Sequence, residues 1–232
     1  MEMRKYKATF TDSFGEETIE ISSDGSIMYL PLRGVIFDGV DFELLTGDKV
    51  DLAKFHYEIA NVNDHFLTNF GITVTFPINI EHQQKITTEQ ITFTYTTGDQ
   101  TGIKGRALNT DTVILDTYFG QFTLTKKVQH FEESLLDIQV KLPKGTDIKA
   151  CLSCKYSTYH PLGGVDFGDM TCLKNVKELL PKIHDKSSLM DVYDEAFAGD
   201  KAFKVQEIFL CPEHESETLD DWRYKGWSHT VK

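Results

Sequence analysis

The chain has 232 residues, with 24 Lys and Arg against 36 Asp and Glu, a formal charge of -12. An apolar fraction of 40% with 16 phenylalanines and 9 tyrosines excludes a disordered chain and supplies a sizeable core. The charge is -8 before residue 151 and -4 from there on. It excludes sequence-independent binding to nucleic acid and to an anionic membrane, both of which need Lys and Arg. It suits plain solubility or a basic protein partner.

The first residues, Met1 to Lys7, carry basic groups with no apolar run behind them, so no signal peptide is expected. No apolar stretch reaches the length of a membrane helix. The expected compartment is the cytoplasm, where thiols stay reduced.

Taken in order, the chain reads as β structure to about residue 150. Lys5 to Phe10 and Glu17 to Ile21 are short β-prone runs separated by Ser13-Phe14-Gly15. Asp24-Gly25 is a hairpin turn before Ile27 to Leu30. Ile36, Val40, Phe42 and Leu44 fall on one face of an alternating strand. The clearest strand is Gly71 to Glu81, where Ile72, Val74, Phe76, Ile78 and Ile80 alternate with polar residues. Pro77 within it cannot donate to a ladder, which points to an edge or a bulge. Gln90 to Thr97 repeats the pattern and ends at Gly98-Asp99. Thr112 to Leu115 pairs with Gly120 to Leu124, and Leu136, Ile138, Val140 and Leu142 alternate as a further strand. Many short strands with frequent turns predict a mainly β (α+β) protein. The expected architecture is an antiparallel β-sandwich-like domain over residues 1–150 with a cysteine-rich module over 151–232 packed on it.

All four cysteines lie in the last third: Cys151, Cys154, Cys172 and Cys211. Leu173, Val176, Leu179 and Leu180 have helical spacing ended by Pro181. Ser187 or Ser188 is placed to cap a second short helix that Gly199 stops. Val205 to Leu210 is β-prone and delivers Cys211. Trp222, Tyr224 and Trp227 are expected to cover part of the core.

Two cysteines with two residues between them can face one metal ion from a tight turn, and Cys151 and Cys154 have that spacing. Cys172 and Cys211 would complete a four-thiolate shell, which is closed and therefore structural; Zn2+ is the ion that suits it. The alternative ligand is His214, four residues into a Cys-Pro-Glu-His run, and His160 lies further outside. Buried free cysteines acting as small hydrophobes are the competing reading. A redox Cys-x-x-Cys opens a helix after a strand, whereas here a loop follows Cys154. No phosphate loop, dinucleotide fingerprint, nucleophile elbow or His-Glu-x-x-His occurs, and no catalytic residue can be named.

The run Cys151, Cys154, Tyr156, Ser157, Tyr159, Pro161, Gly163, then Phe167, Gly168, Met170, Cys172, then Gln206, Glu207, Cys211, Pro212 resembles an uncharacterised family of bacterial cytosolic proteins, a domain of unknown function. The resemblance is confined to the last third. It implies a bacterial source, favours the four cysteines over the histidine variant and supplies no activity. The functional expectation is a protein with a structural zinc site acting through protein–protein interaction, of the immunity or inhibitor type. The alternative is an enzyme with a cleft between the two parts, using a reactive Cys172 or His214 or an open zinc site.

Overall fold

The structure, a computed structural model, describes residues 3–42, 45–47, 54–61, 64–96, 111–126, 131–162 and 167–227. Eleven strands precede the first helix: β1 (Arg4–Asp12), β2 (Gly15–Ser23), β3 (Met28–Leu32), β4 (Val35–Gly39), β5 (Thr46–Gly47), β6 (Tyr57–Asn61), β7 (Asp64–Leu67), β8 (Phe70–His82), β9 (Lys85–Thr96), β10 (Asp111–Thr117) and β11 (Gly120–Lys126). Helix α1 (Phe131–Lys141) and strand β12 (Thr146–Lys149) follow. Among the described residues these strands form one antiparallel sheet in the order β11-β10-β9-β8-β1-β2-β3-β4-β5-β7-β6, with β12 also on β8. Gly98, Asp99 and Leu44 lie outside the described residues.

The alternation seen in the sequence of β8 is the reason for its place. Ile72, Val74, Phe76, Ile78 and Ile80 are all buried, and the residues between them are half-exposed. β9 pairs along the whole of β8. The other side of β8 is shared: β1 pairs with residues 70–74 and β12 with residues 79–82. Pro77, which has no N–H to donate, falls in the gap between them.

The sheet has one buried face and curls over it. Phe42, just beyond β4, stacks on Phe93 of β9 at 5.9 Å, although β8, β1, β2 and β3 stand between those strands. Neighbouring strands are spaced by about 4.8 Å, so a flat sheet would hold the two rings more than about 20 Å apart. Helix α1 closes one side of this concavity and is tied to β12 through Gln139. The Gln139 Nε2 donates to the Thr146 carbonyl at 2.7 Å, and its Oε1 accepts from the Ile148 N–H at 2.8 Å.

Two expectations are corrected. Residues 136–141 are helix, not strand: Phe131, Leu135, Ile138 and, just past the helix end, Leu142 are buried at a spacing of three to four, while Val140 is 64% exposed. Alternation of Leu136, Ile138 and Val140 misled because a short apolar run also fits a helix. In β4 the inward residue is Phe37, fully buried, and Ile36 is 62% exposed. One residue of register flips every side chain, and the larger aromatic takes the core.

In the last third, β13 (Ser157–Thr158), β14 (Met170–Cys172) and β15 (Phe203–Val205) form a small antiparallel sheet. The β-prone run expected over 205–210 is strand only at its start. A 3-10 segment, Lys174–Lys182, contains Pro181 and a break at Val176. Helix α2 (Lys186–Ala198) is capped by Asp185, whose carboxylate accepts from the Ser188 N–H at 2.8 Å, so the expected serine stands three residues inside the cap. Gly199 ends it, as expected.

Two cores result. The main one crosses residue 150, joining the sheet's inner face to Cys151, Leu152, Tyr159, Phe167, Met170, Val205, Ile208 and Trp227. The smaller packs Cys154, Tyr156, Leu173, Leu179, Leu189 and Val192, with Trp222 and Tyr224 against it. Phe167 is the plug in the main core that joins the last third to the sheet: its ring stacks on Phe42 at 5.4 Å and Phe93 at 5.7 Å and meets Phe131 edge-on at 5.0 Å.

Candidate functional site

The four cysteines sit on three separate pieces of backbone. β12 runs out at Lys149, and a single 3-10 turn, Cys151–Ser153, follows. The Cys154 N–H donates to the Cys151 carbonyl at 3.0 Å. The Ser153 hydroxyl donates to the Ala150 carbonyl at 3.1 Å, which fastens the turn from inside. The turn is strapped from both sides: the Leu152 N–H donates to the Glu207 carbonyl at 2.9 Å, and the Glu217 N–H donates to the Ser153 carbonyl at 2.9 Å.

Cys172 ends β14, opposite Ser157 of β13 and Phe203 of β15. The backbone N–H of Lys174, two residues on, lowers the Cys172 pKa. Cys211 arrives on the stretch 206–210, which is laid across the β2–β3 turn. There the Gln206 N–H donates to the Gly25 carbonyl at 2.8 Å, and the Arg4 Nη2 donates to the Leu210 carbonyl at 3.2 Å. The Arg4 guanidinium also covers the Phe209 ring at 4.7 Å. A Cβ at Gly25 would stand 2.4 Å from that ring, so only glycine admits it.

The four cysteines are free thiols; Cys151, Cys154 and Cys172 are buried and Cys211 is half-buried. Burial pushes the Cys151 thiol well up, and Cys172, Cys154 and Cys211 are all near enough to raise it further. Cys172 is pushed up to about 11, again by burial first, with Cys154 and Cys211 adding to it. The other three thiols thus lie within electrostatic range of Cys151. Among the described residues, however, no group of three or more His, Cys, Asp or Glu side chains is arranged to hold a metal ion.

His214 is engaged elsewhere. Its Nε2 lies 2.9 Å from the Ser153 hydroxyl, and burial, with Lys149 and Lys225, pulls its pKa down to about 4, leaving a neutral ring. His160 accepts from the Leu162 N–H at 3.1 Å and meets Tyr193 edge-on.

Two buried cations flank the cluster, and nothing in the sequence marked them. Lys225, with a fully buried side chain, donates to the Cys154 carbonyl and the Ser157 hydroxyl and pairs with Glu217 at 2.8 Å. Its charge lowers the Cys151 pKa, against the other influences on that thiol. Arg223 donates from Nε to the Lys155 carbonyl at 2.6 Å. Burying such charges is unfavourable unless they are compensated.

A second buried polar group, Glu207, lies on the far side of the turn. It is fully buried and accepts from the Tyr159 hydroxyl at 3.0 Å and the Gly168 N–H at 2.7 Å. Its pKa is raised to about 8, by burial first. Glu207, Tyr159 and Gly168 all stood in the cysteine-associated pattern of the sequence, without a role.

A family model described as "Family of unknown function (DUF6304)" matches residues 4–157. The match runs from β1 through Cys151 and Cys154 and stops before Cys172 and Cys211, so it covers the sheet and half of the cysteine set. No curated protein and no solved structure matches the chain.

Proposed function

The chain belongs to that family of unknown function, and from this premise we propose that it is a binding protein whose last third is held rigid by a structural Zn2+ on Cys151, Cys154, Cys172 and Cys211. The observation that supports the reading is the convergence of four free thiols from three separate stretches of backbone onto one neighbourhood. An all-thiol donor set suits Zn2+ and fills its shell. The Lys174 backbone N–H lowers the Cys172 pKa and the buried cation of Lys225 lowers that of Cys151, and both influences favour thiolate. The ion would draw together sulfurs that stand near one another without yet surrounding a common point. His214 is left out of the set because Ser153 engages its Nε2.

With such a staple the module presents a fixed surface, and the chain's charge of -12 suits a basic protein partner, as an immunity or inhibitor-type protein would meet. The competing enzyme reading uses a reactive Cys172 or His214 or an open zinc site. Burial holds Cys151 and Cys172 as protonated thiols in the metal-free chain, which opposes nucleophilic use.

Metal analysis with thiol titration on the native chain tests the reading. One zinc per chain with thiols that react only after chelation is the expected result. A metal-free chain with a rapidly reacting thiol overturns it.

A further inference from the structure

Beside the cysteine turn lies a cavity of about 370 Å3, within the range of small-molecule sites, roughly 300–1,000 Å3. The stretches that carry the cysteines also build it: Lys155 and Tyr156 directly follow Cys154, Leu180 and Ile183 come from the segment after Cys172, and Trp222 and Arg223 from the tail. We propose that this cavity binds a small organic carboxylate carrying an apolar or aromatic body.

Three observations carry the proposal. The first is Arg223, only 4% exposed yet lining the cavity. Its Nε and Nη1 are held by the Lys155 and Trp222 carbonyls at 2.6 Å each. Among the described residues its Nη2 has only Asp221 Oδ1 at 3.8 Å, beyond hydrogen-bond reach, so this buried guanidinium keeps donor capacity beside the cavity it lines. The second is the balance of charge. Three cations, Lys155, Lys177 and Arg223, line the space against two carboxylates, Asp220 and Asp221, in a chain whose formal charge is -12. Lys155 and Lys177 do pair with Glu215 and Glu213, but neither glutamate lines the cavity. Asp221 is drawn aside by the Thr218 N–H and hydroxyl, both at 2.9 Å. The third is the apolar share of the lining, where Leu180, Ile183 and Trp222 give the ligand's body a surface.

The site goes beyond the binding-protein reading and does not need the metal to exist. It can be tested on the native chain with 3-phenylpropionate as the probe and its amide and amine counterparts as controls. The chain has two tryptophans, so the two indole N–H signals in a 1H–15N spectrum report separately on the cavity (Trp222) and on the main core (Trp227). The carboxylate should shift the Trp222 signal saturably and leave Trp227 unmoved. The amide should bind at least about fivefold more weakly and the amine not at all, since each loses the charged contact. Arg223 is buried and its replacement also tests folding, so Lys177, 45% exposed, carries the mutational arm. K177E should weaken the carboxylate several-fold and D220N should tighten it. No saturable shift up to about 10 mM probe, where even millimolar affinity would register, overturns the proposal. So does an amine that binds as well as the acid, or a K177E titration equal to that of the parent. These results leave the zinc content untouched, so failure here is distinct from failure of the metal reading.

Discussion

The Glu207 carboxylate accepts a 2.7 Å hydrogen bond from the backbone N–H of Gly168, and this contact locks the aromatic plug Phe167 into the mouth of the sheet. Glu207 belongs to the stretch that delivers Cys211, and its carbonyl holds the cysteine turn through Leu152. One residue therefore joins the plug, the turn and the stretch that leads to Cys211.

Gly168 should tolerate no side chain. Its φ is +94°, and a Cβ would stand 1.9 Å from the Val40 carbonyl oxygen. Both the backbone conformation and the approach demand glycine. Gly168→Ala is expected to cost about 3 kcal/mol or more, in the range reserved for strained or overpacked sites. Urea unfolding of the variant measures it; a loss under about 1 kcal/mol would show that the loop can move off Val40.

Glu207 should make stability depend on pH in a direction opposite to the usual carboxylate. Its folded pKa is about 8 against an ordinary value of 4.5. Between these the folded chain keeps a proton that the unfolded chain releases. The contribution is whole below about pH 4.5 and falls as pH rises toward 8, with a slope approaching 1.4 kcal/mol per pH unit, roughly the value of one proton. Glu207→Gln should remove that slope while keeping the fold. Its carbonyl can accept from Gly168, and Tyr159 can turn its hydroxyl to accept from the amide nitrogen. Unfolding free energies of parent and variant from pH 5 to 8 decide it; parallel curves would rule the titration out.

Phe167→Ala should cost about 3–5 kcal/mol, the usual loss for a large buried aromatic whose neighbours cannot close the gap. Phe42, Phe93 and Phe131 converge on this ring from three elements, so collapse is hindered. Differential scanning calorimetry should show a single transition at a lower temperature. Two separate transitions would mean that the sheet and the last third unfold independently.

Cys151→Ser should lower both metal content and stability if the staple is real, because metal binding energy is folding energy. Chelation of the parent should lower its Tm toward that of the variant. Cys211, half-buried at the end of its loop, should give the milder loss when replaced by serine. A C151S chain that melts with the parent and carries the same zinc would remove Cys151 from the ligand set.

Much of the sheet was readable because its strands obey a period of two, as β8 does over five alternating apolar residues. The pattern failed where two periods overlap: Leu136 to Leu142 fits a strand on alternation and a helix on the spacing of Phe131, Leu135 and Ile138. It failed at Ile36 because register is set by the neighbours, which a single strand does not reveal. The thiol turn was visible from its spacing alone. Arg223, Lys225 and Glu207 were not, since a charged residue reads as surface until long-range packing buries it. The single curled sheet also lay beyond local pattern, because the order of its strands is a matter of contacts far apart in the chain.

The plug also bears on what the sheet can do without the last third. The family match ends at Ser157, the first residue of β13, and Phe167 lies ten positions past it. A sheet transplanted alone into another protein would arrive with Phe42, Phe93 and Phe131 facing an open mouth, a sticky aromatic concavity that invites aggregation. A sheet moved into a new setting must therefore keep this stopper or be given another.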